Sequence, residues 1–126
     1  MEFYPGFEQT PKRKYEKRKT VSGMTILEKQ DLVRSVVEKF YYQNGLDCGS
    51  SMTQSELNHI LDIGTSILCT KWKVGFEGGG FVQAFVNNDL MNAIGRADST
   101  TIKGFKFFGM LVYNVAKPYE LIEQTA

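Results

Sequence analysis

A chain of 126 residues that is 42% hydrophobic and 13% aromatic has the side chains for one packed core and too little length for two, which excludes both a multidomain architecture and a disordered polymer. The net charge of +1 is unevenly laid out: residues 1–22 carry six Lys/Arg against three Glu, which leaves −2 on the remainder and describes a near-neutral body with a basic arm. Two cysteines, Cys48 and Cys69, make neither a CxxC pair nor a disulfide framework. A reducing, intracellular setting is expected on that ground.

Residues 1–23 read as the arm and 24–126 as a single helical domain. In the arm, Phe3 to Phe7 is an aromatic turn broken at Pro5-Gly6, and Lys12, Arg13, Lys14, Lys17, Arg18 and Lys19 form a basic run. Such a run suits contact with nucleic-acid phosphates, with Tyr4, Phe7 or Tyr15 available to stack on bases; as a plain solvated extension it would only aid solubility. No apolar leader stands at the N-terminus, so no signal peptide is predicted.

Thr25-Ile26-Leu27-Glu28 is a capping box that predicts a helix. Its apolar rows are Leu32, Val36, Phe40 and Val33, Val37, Tyr41, with Asn44-Gly45 as the stop and a Gly/Ser loop over 46–52. A second box, Thr53 to Glu56, opens a helix that buries Leu57, Ile60, Leu61, Ile63, Ile67 and Leu68. Gly64 inside it costs about 1 kcal/mol against Ala, and close approach of a neighbouring helix would explain it. The alternation Trp72, Val74, Phe76 reads as an extended link or a lone edge strand.

The stretch 78–98 has the clearest period and stands out as the organising element. Read as one helix over 81–96, it places Phe81, Phe85, Leu90 and Ile94 on the apolar side. Asn88, Asn92 and Arg96 then share a row with Asp89 beside them, and these are residues that helix propensity alone would not choose, Arg excepted. The row is either a polar network that fixes helix packing or a partner or ligand site, with Asp98 close by. Asp89, nearest Phe85, is expected to hold the fold, and Arg96 to reach an anion or a partner carboxylate. A last helix over 100–116 is apolar nearly all round, which predicts the centre of a bundle or a homo-oligomer interface. Its apolar run contains Lys106 and is shorter than the roughly 20 residues of a bilayer span, so no membrane contact is predicted. The fold class expected is all-α, a small four-helix bundle with an extended basic arm.

Catalytic chemistry is hard to place on this chain. His59 is the sole histidine and neither cysteine has the setting of a nucleophile. No spacing suggests a metal site, and no cofactor is expected. Gly78-Gly79-Gly80 before a helix invites an anion loop, but Phe81-Val82 stands where a P-loop needs Lys-Ser/Thr, so a tight loop or hinge fits better. Asp98 is placed to cap the following helix.

The words Asn88-Asp89-Leu90-Met91 and Gly95-Arg96-Ala97-Asp98, with Gly79-Gly80-Phe81 before them and Tyr113-Asn114 after, resemble a group of small proteins without assigned activity encoded mainly by tailed bacteriophages and prophages. The resemblance covers residues 78–117 and leaves out the arm. After Pro118 the chain has no Trp, where many members carry one. What the resemblance implies is a viral accessory protein in the bacterial cytoplasm; it carries over no catalytic residue. The expectation is a non-enzymatic protein that binds a host protein, of the host-takeover or anti-defence kind. The alternatives are a nucleic-acid-binding factor using the arm, or a sponge for small phosphorylated messengers using Arg96 and the glycine loop.

Overall fold

Both capping boxes form as written. In the computed structural model, which describes residues 23–44 and 52–122, the Thr25 hydroxyl accepts from the Glu28 amide at 3.2 Å while the Glu28 carboxylate accepts from the Thr25 amide at 2.9 Å. Thr53 and Glu56 repeat the exchange at 3.0 Å each way. The helices they open are α1 (Ile26–Gln43) and α2 (Gln54–Trp72). Four shorter ones follow: α3 (Gly80–Val86), α4 (Leu90–Arg96), α5 (Ser99–Lys103) and α6 (Phe105–Asn114). The described residues contain no strand, so the all-α class holds. None of their helices is long and apolar enough to cross a membrane.

The chain divides into two compact units, Thr25–Ala116 and a second made of Met1–Met24 with Lys117–Ala126. In the second, the described part is residues 23–24 and 117–122, with a 3₁₀ turn over Tyr119–Leu121 that buries Leu121. The basic run at 12–19, the Phe3–Phe7 turn, Gly45, the 46–51 part of the Gly/Ser loop and Cys48 lie outside the described residues.

Within Thr25–Ala116 the organising helix is α2, which packs against α1, α3, α5 and α6. It buries Ile60, Leu61, Ile67, Leu68, Cys69 and Trp72, more apolar side chains than any other helix of the unit, each large one stabilising the fold by about 1.5–3 kcal/mol. Gly64 is buried among them. A Cβ there would stand 2.9 Å from Leu111 of α6 and 3.2 Å from Val37 of α1, so two helices close on α2 at the point where it has no side chain. Val33 and Val37 of α1 and Phe107, Phe108 and Leu111 of α6 complete this centre. Surface ion pairs cross it, Arg34 with Asp62 from α1 to α2 and Lys103 with Glu56 at 3.0 Å from α5 to α2. Lys71 of α2 donates to the Val112 carbonyl at 2.8 Å, satisfying one of the open acceptors at the end of α6.

Three expectations are corrected. The alternation at 72–76 holds no strand: Trp72 ends α2, Lys73 caps it in the left-handed conformation (φ 60°), and an irregular link follows in which Val74 is buried and Phe76 exposed. The helix expected at 81–96 is two helices. Its break is a Schellman motif, in which the Asn88 amide donates to the Phe85 carbonyl at 3.1 Å and the Asp89 amide to the Ala84 carbonyl at 2.8 Å, with Asn88 at φ 61°. The helix expected at 100–116 is likewise α5 and α6, parted at Gly104. A Cβ there would meet Phe108 at 2.8 Å and Ile60 at 3.0 Å, so the glycine permits the approach to α2. In place of four helices the described residues hold six.

Candidate partner-binding site

The break at Asn88 decides what α4 presents. After the left-handed residue, α4 turns so that only Ala93 is buried. Leu90 and Ile94, expected inside, are 51% and 46% exposed, and Met91 is 80% exposed. These three form an apolar ridge on the outside of the molecule. By contrast Phe81 and Phe85 of α3 do pack inward as expected, against Phe105 and Phe108, with ring centroids 5.4–6.1 Å apart. Beside the ridge runs a groove of about 370 Å³, with Phe85, Val86 and Leu90 on one wall and Gly109, Val112 and Tyr113 on the other. Tyr113 stands at its rim, 89% exposed. The apolar surplus expected on the last helix is thus largely covered within the unit, with Ile102 and Tyr113 left exposed.

The other side of α4 is polar. Asp89, Asn92 and Arg96 face Gly80, Gln83 and Asn87 of α3 across a cleft of about 260 Å³. Arg96 Nε donates to Asn92 Oδ1 at 2.9 Å. The guanidinium lies against Gly80, where a Cβ would come within 2.8 Å of Nη1. Gln83 Nε2 donates to the Gly78 carbonyl at 2.7 Å. Among the described residues Arg96 has no ion pair, and the Asp89 carboxylate neither caps α4 nor forms one.

The five residues singled out on this stretch therefore part company. Asp89, Asn92 and Arg96 share the cleft, while Asn88 caps α3 and lines the apolar groove instead. Asp98 caps α5, accepting from the Thr101 amide at 2.7 Å, and its other oxygen lies 3.7 Å from His59 Nε2 on α2. The Thr101 hydrogen bonds, with a smaller contribution from His59, hold its carboxyl below the usual value. Asp89, expected to hold the fold, is exposed and makes no such bond.

The glycine loop is held by packing. Gly78 donates to Thr70 Oγ1 at 2.9 Å, and a Cβ on it would stand 2.5 Å from Ser66 Oγ. Gly80 makes room for Arg96, and Gly79 is the position before α3. Cys69 is buried, which pushes its thiol up to about 11 and keeps it protonated near neutrality. His59 lies on the outer side of α2 beside Asp98. Among the described residues no three His, Cys, Asp or Glu side chains gather as a metal ion would need.

The apolar ridge is the feature that reading the sequence missed. Its signal was the pair Asn87-Asn88, because Asn is the residue after Gly most able to take the left-handed position that ends a helix. Comparison with models of known families, with curated proteins and with solved structures gives no match.

Proposed function

We propose that this is a non-enzymatic binding protein, encoded by a tailed phage or prophage, that engages a host protein in host takeover or anti-defence. The contact element in this reading is the α3–α4 hairpin. One observation carries it: α4 turns Leu90, Met91 and Ile94 outward and only Ala93 inward. A seven-residue helix that leaves three large apolar side chains in water gains little from its own core. Exposed apolar ridges rimmed by polar groups mark interaction surfaces, and a helix that lays such a ridge into a partner's groove is a recurring mode of recognition. Arg96, Asn92 and Asp89 supply the polar rim.

The test is affinity capture from phage-infected cells with the intact chain and with Leu90→Ser/Met91→Ser/Ile94→Ser. The reading predicts one host protein captured in stoichiometric amount by the first and lost with the second, which stays folded. Nucleic acid in the captured material, bound in a strongly salt-dependent way, would favour the arm-based alternative instead.

A further inference from the structure

The α3–α4 cleft holds two opposite charges that do not meet. Asp89, the position before α4, and Arg96, its last residue, stand seven residues apart, and the Arg96 side chain folds back one turn onto Asn92, so the two charged groups lie closer than the roughly 10 Å rise between their backbones. Neither forms an ion pair with the other or with any described residue. The carboxamides between them are only partly used. Gln83 keeps its Oε1 acceptor, because its Nε2 is bound to the Gly78 carbonyl. Asn92 keeps its Nδ2 donor, because its Oδ1 takes the Arg96 Nε–H. Asn87 completes the row with a donor and an acceptor of its own.

We infer that this cleft takes a short extended segment of the partner protein that brings an acidic group to Arg96 and a basic group to Asp89, with its backbone on the carboxamides; this rests on the partner being a protein, as proposed above. Three features of the cleft select that occupant. Alternate residues of an extended chain share a face about 7 Å apart, which suits two charges set less than about 10 Å apart on one side of the cleft. Free carboxamide donors and acceptors in a row match the alternating N–H and C=O of such a chain. The volume of about 260 Å³ lies below the roughly 300–1,000 Å³ of pockets that enclose drug-sized molecules. A phosphorylated messenger fits poorly, since phosphates drawn to Arg96 would bring like charge towards Asp89.

The experiment is an amide and side-chain NMR titration of the full chain with three blocked tripeptides at millimolar concentration. These are Lys-Ala-Glu, Glu-Ala-Glu and Gln-Ala-Gln, in which the two outer side chains share a face of the extended chain. The mixed-charge peptide is expected to shift the signals of Gly80, Asn87, Asn92 and the Arg96 Nε–H in a saturable way, about tenfold more tightly than the other two. Arg96→Gln and Asp89→Asn should each abolish that preference with unchanged melting, since both side chains are exposed. Equal binding of all three peptides, tighter binding of the doubly acidic one, or no shift at the cleft would each overturn the inference. Host-protein capture separates it from the broader reading. A partner retained by both cleft variants but lost with the ridge variant sinks the cleft inference alone. Preferential peptide binding without any captured host protein sinks the partner reading alone.

Discussion

Asn88 takes a conformation that costs most L-residues about 1–2 kcal/mol, and α4 is aimed by it. Asn88→Gly is therefore expected to fold at least as stably, whereas Asn88→Val should lose about 1–2 kcal/mol in urea titration. Asp98 is the second residue whose role is local. Its amide partner at Thr101 lowers the carboxyl pKa, so the stability it contributes is present above the ordinary value of 3.8 and is lost as pH falls through the lowered one. Asp98→Ala should cost about 1 kcal/mol at pH 7, as loss of a helix cap does, and the gap to the unsubstituted chain should shrink well below the ordinary value. A gap that stays constant into acid would show that the carboxylate is not the cap. Only one of these roles was legible beforehand: Asp98 was expected to cap, while Asn88 was read as part of a row because the helix was carried through it.

Among the helices, the long ones were legible and the short ones were not. The capping boxes and the apolar rows of α1 and α2 act through neighbours three and four residues away, and such local rules survive in the fold. Gly64 was legible too, because a glycine inside a good helix calls for a close neighbour, and Leu111 and Val37 supply it. Gly64→Ala is expected to overpack this centre and lower stability by about 1–3 kcal/mol in a melt. The break at Gly104 was hidden inside a run whose apolar residues continue without a gap, and the break at Asn88 because Phe81 and Phe85 were joined to Leu90 and Ile94 across a five-residue step, which on one helix would set them about 140° apart. At Asn88 the left-handed residue closes α3, and at Gly104 the close approach to Ile60 of α2, a contact at long range, ends the helix. The organising helix was misjudged too. The 78–98 stretch drew the eye with its polar row, but α2 packs against four other helices.

At the scale of the molecule, the central claim is that α4 faces outward to be covered by something else. The ridge and the polar cleft lie on two sides of one seven-residue helix, so a partner that seats on α4 meets apolar contact and charge together. Apolar contact of this kind carries affinity, and paired charges at the rim govern which partner is accepted. The measurement that tests this most directly is quantitative host-protein capture by Leu90→Ser/Met91→Ser/Ile94→Ser alongside its thermal melt. The account predicts melting within a few degrees of the unsubstituted chain, since surface changes usually stay within about 0.5 kcal/mol each, and a captured host protein reduced to background. A variant that unfolds, or one that stays folded and captures the same protein in the same amount, would contradict it.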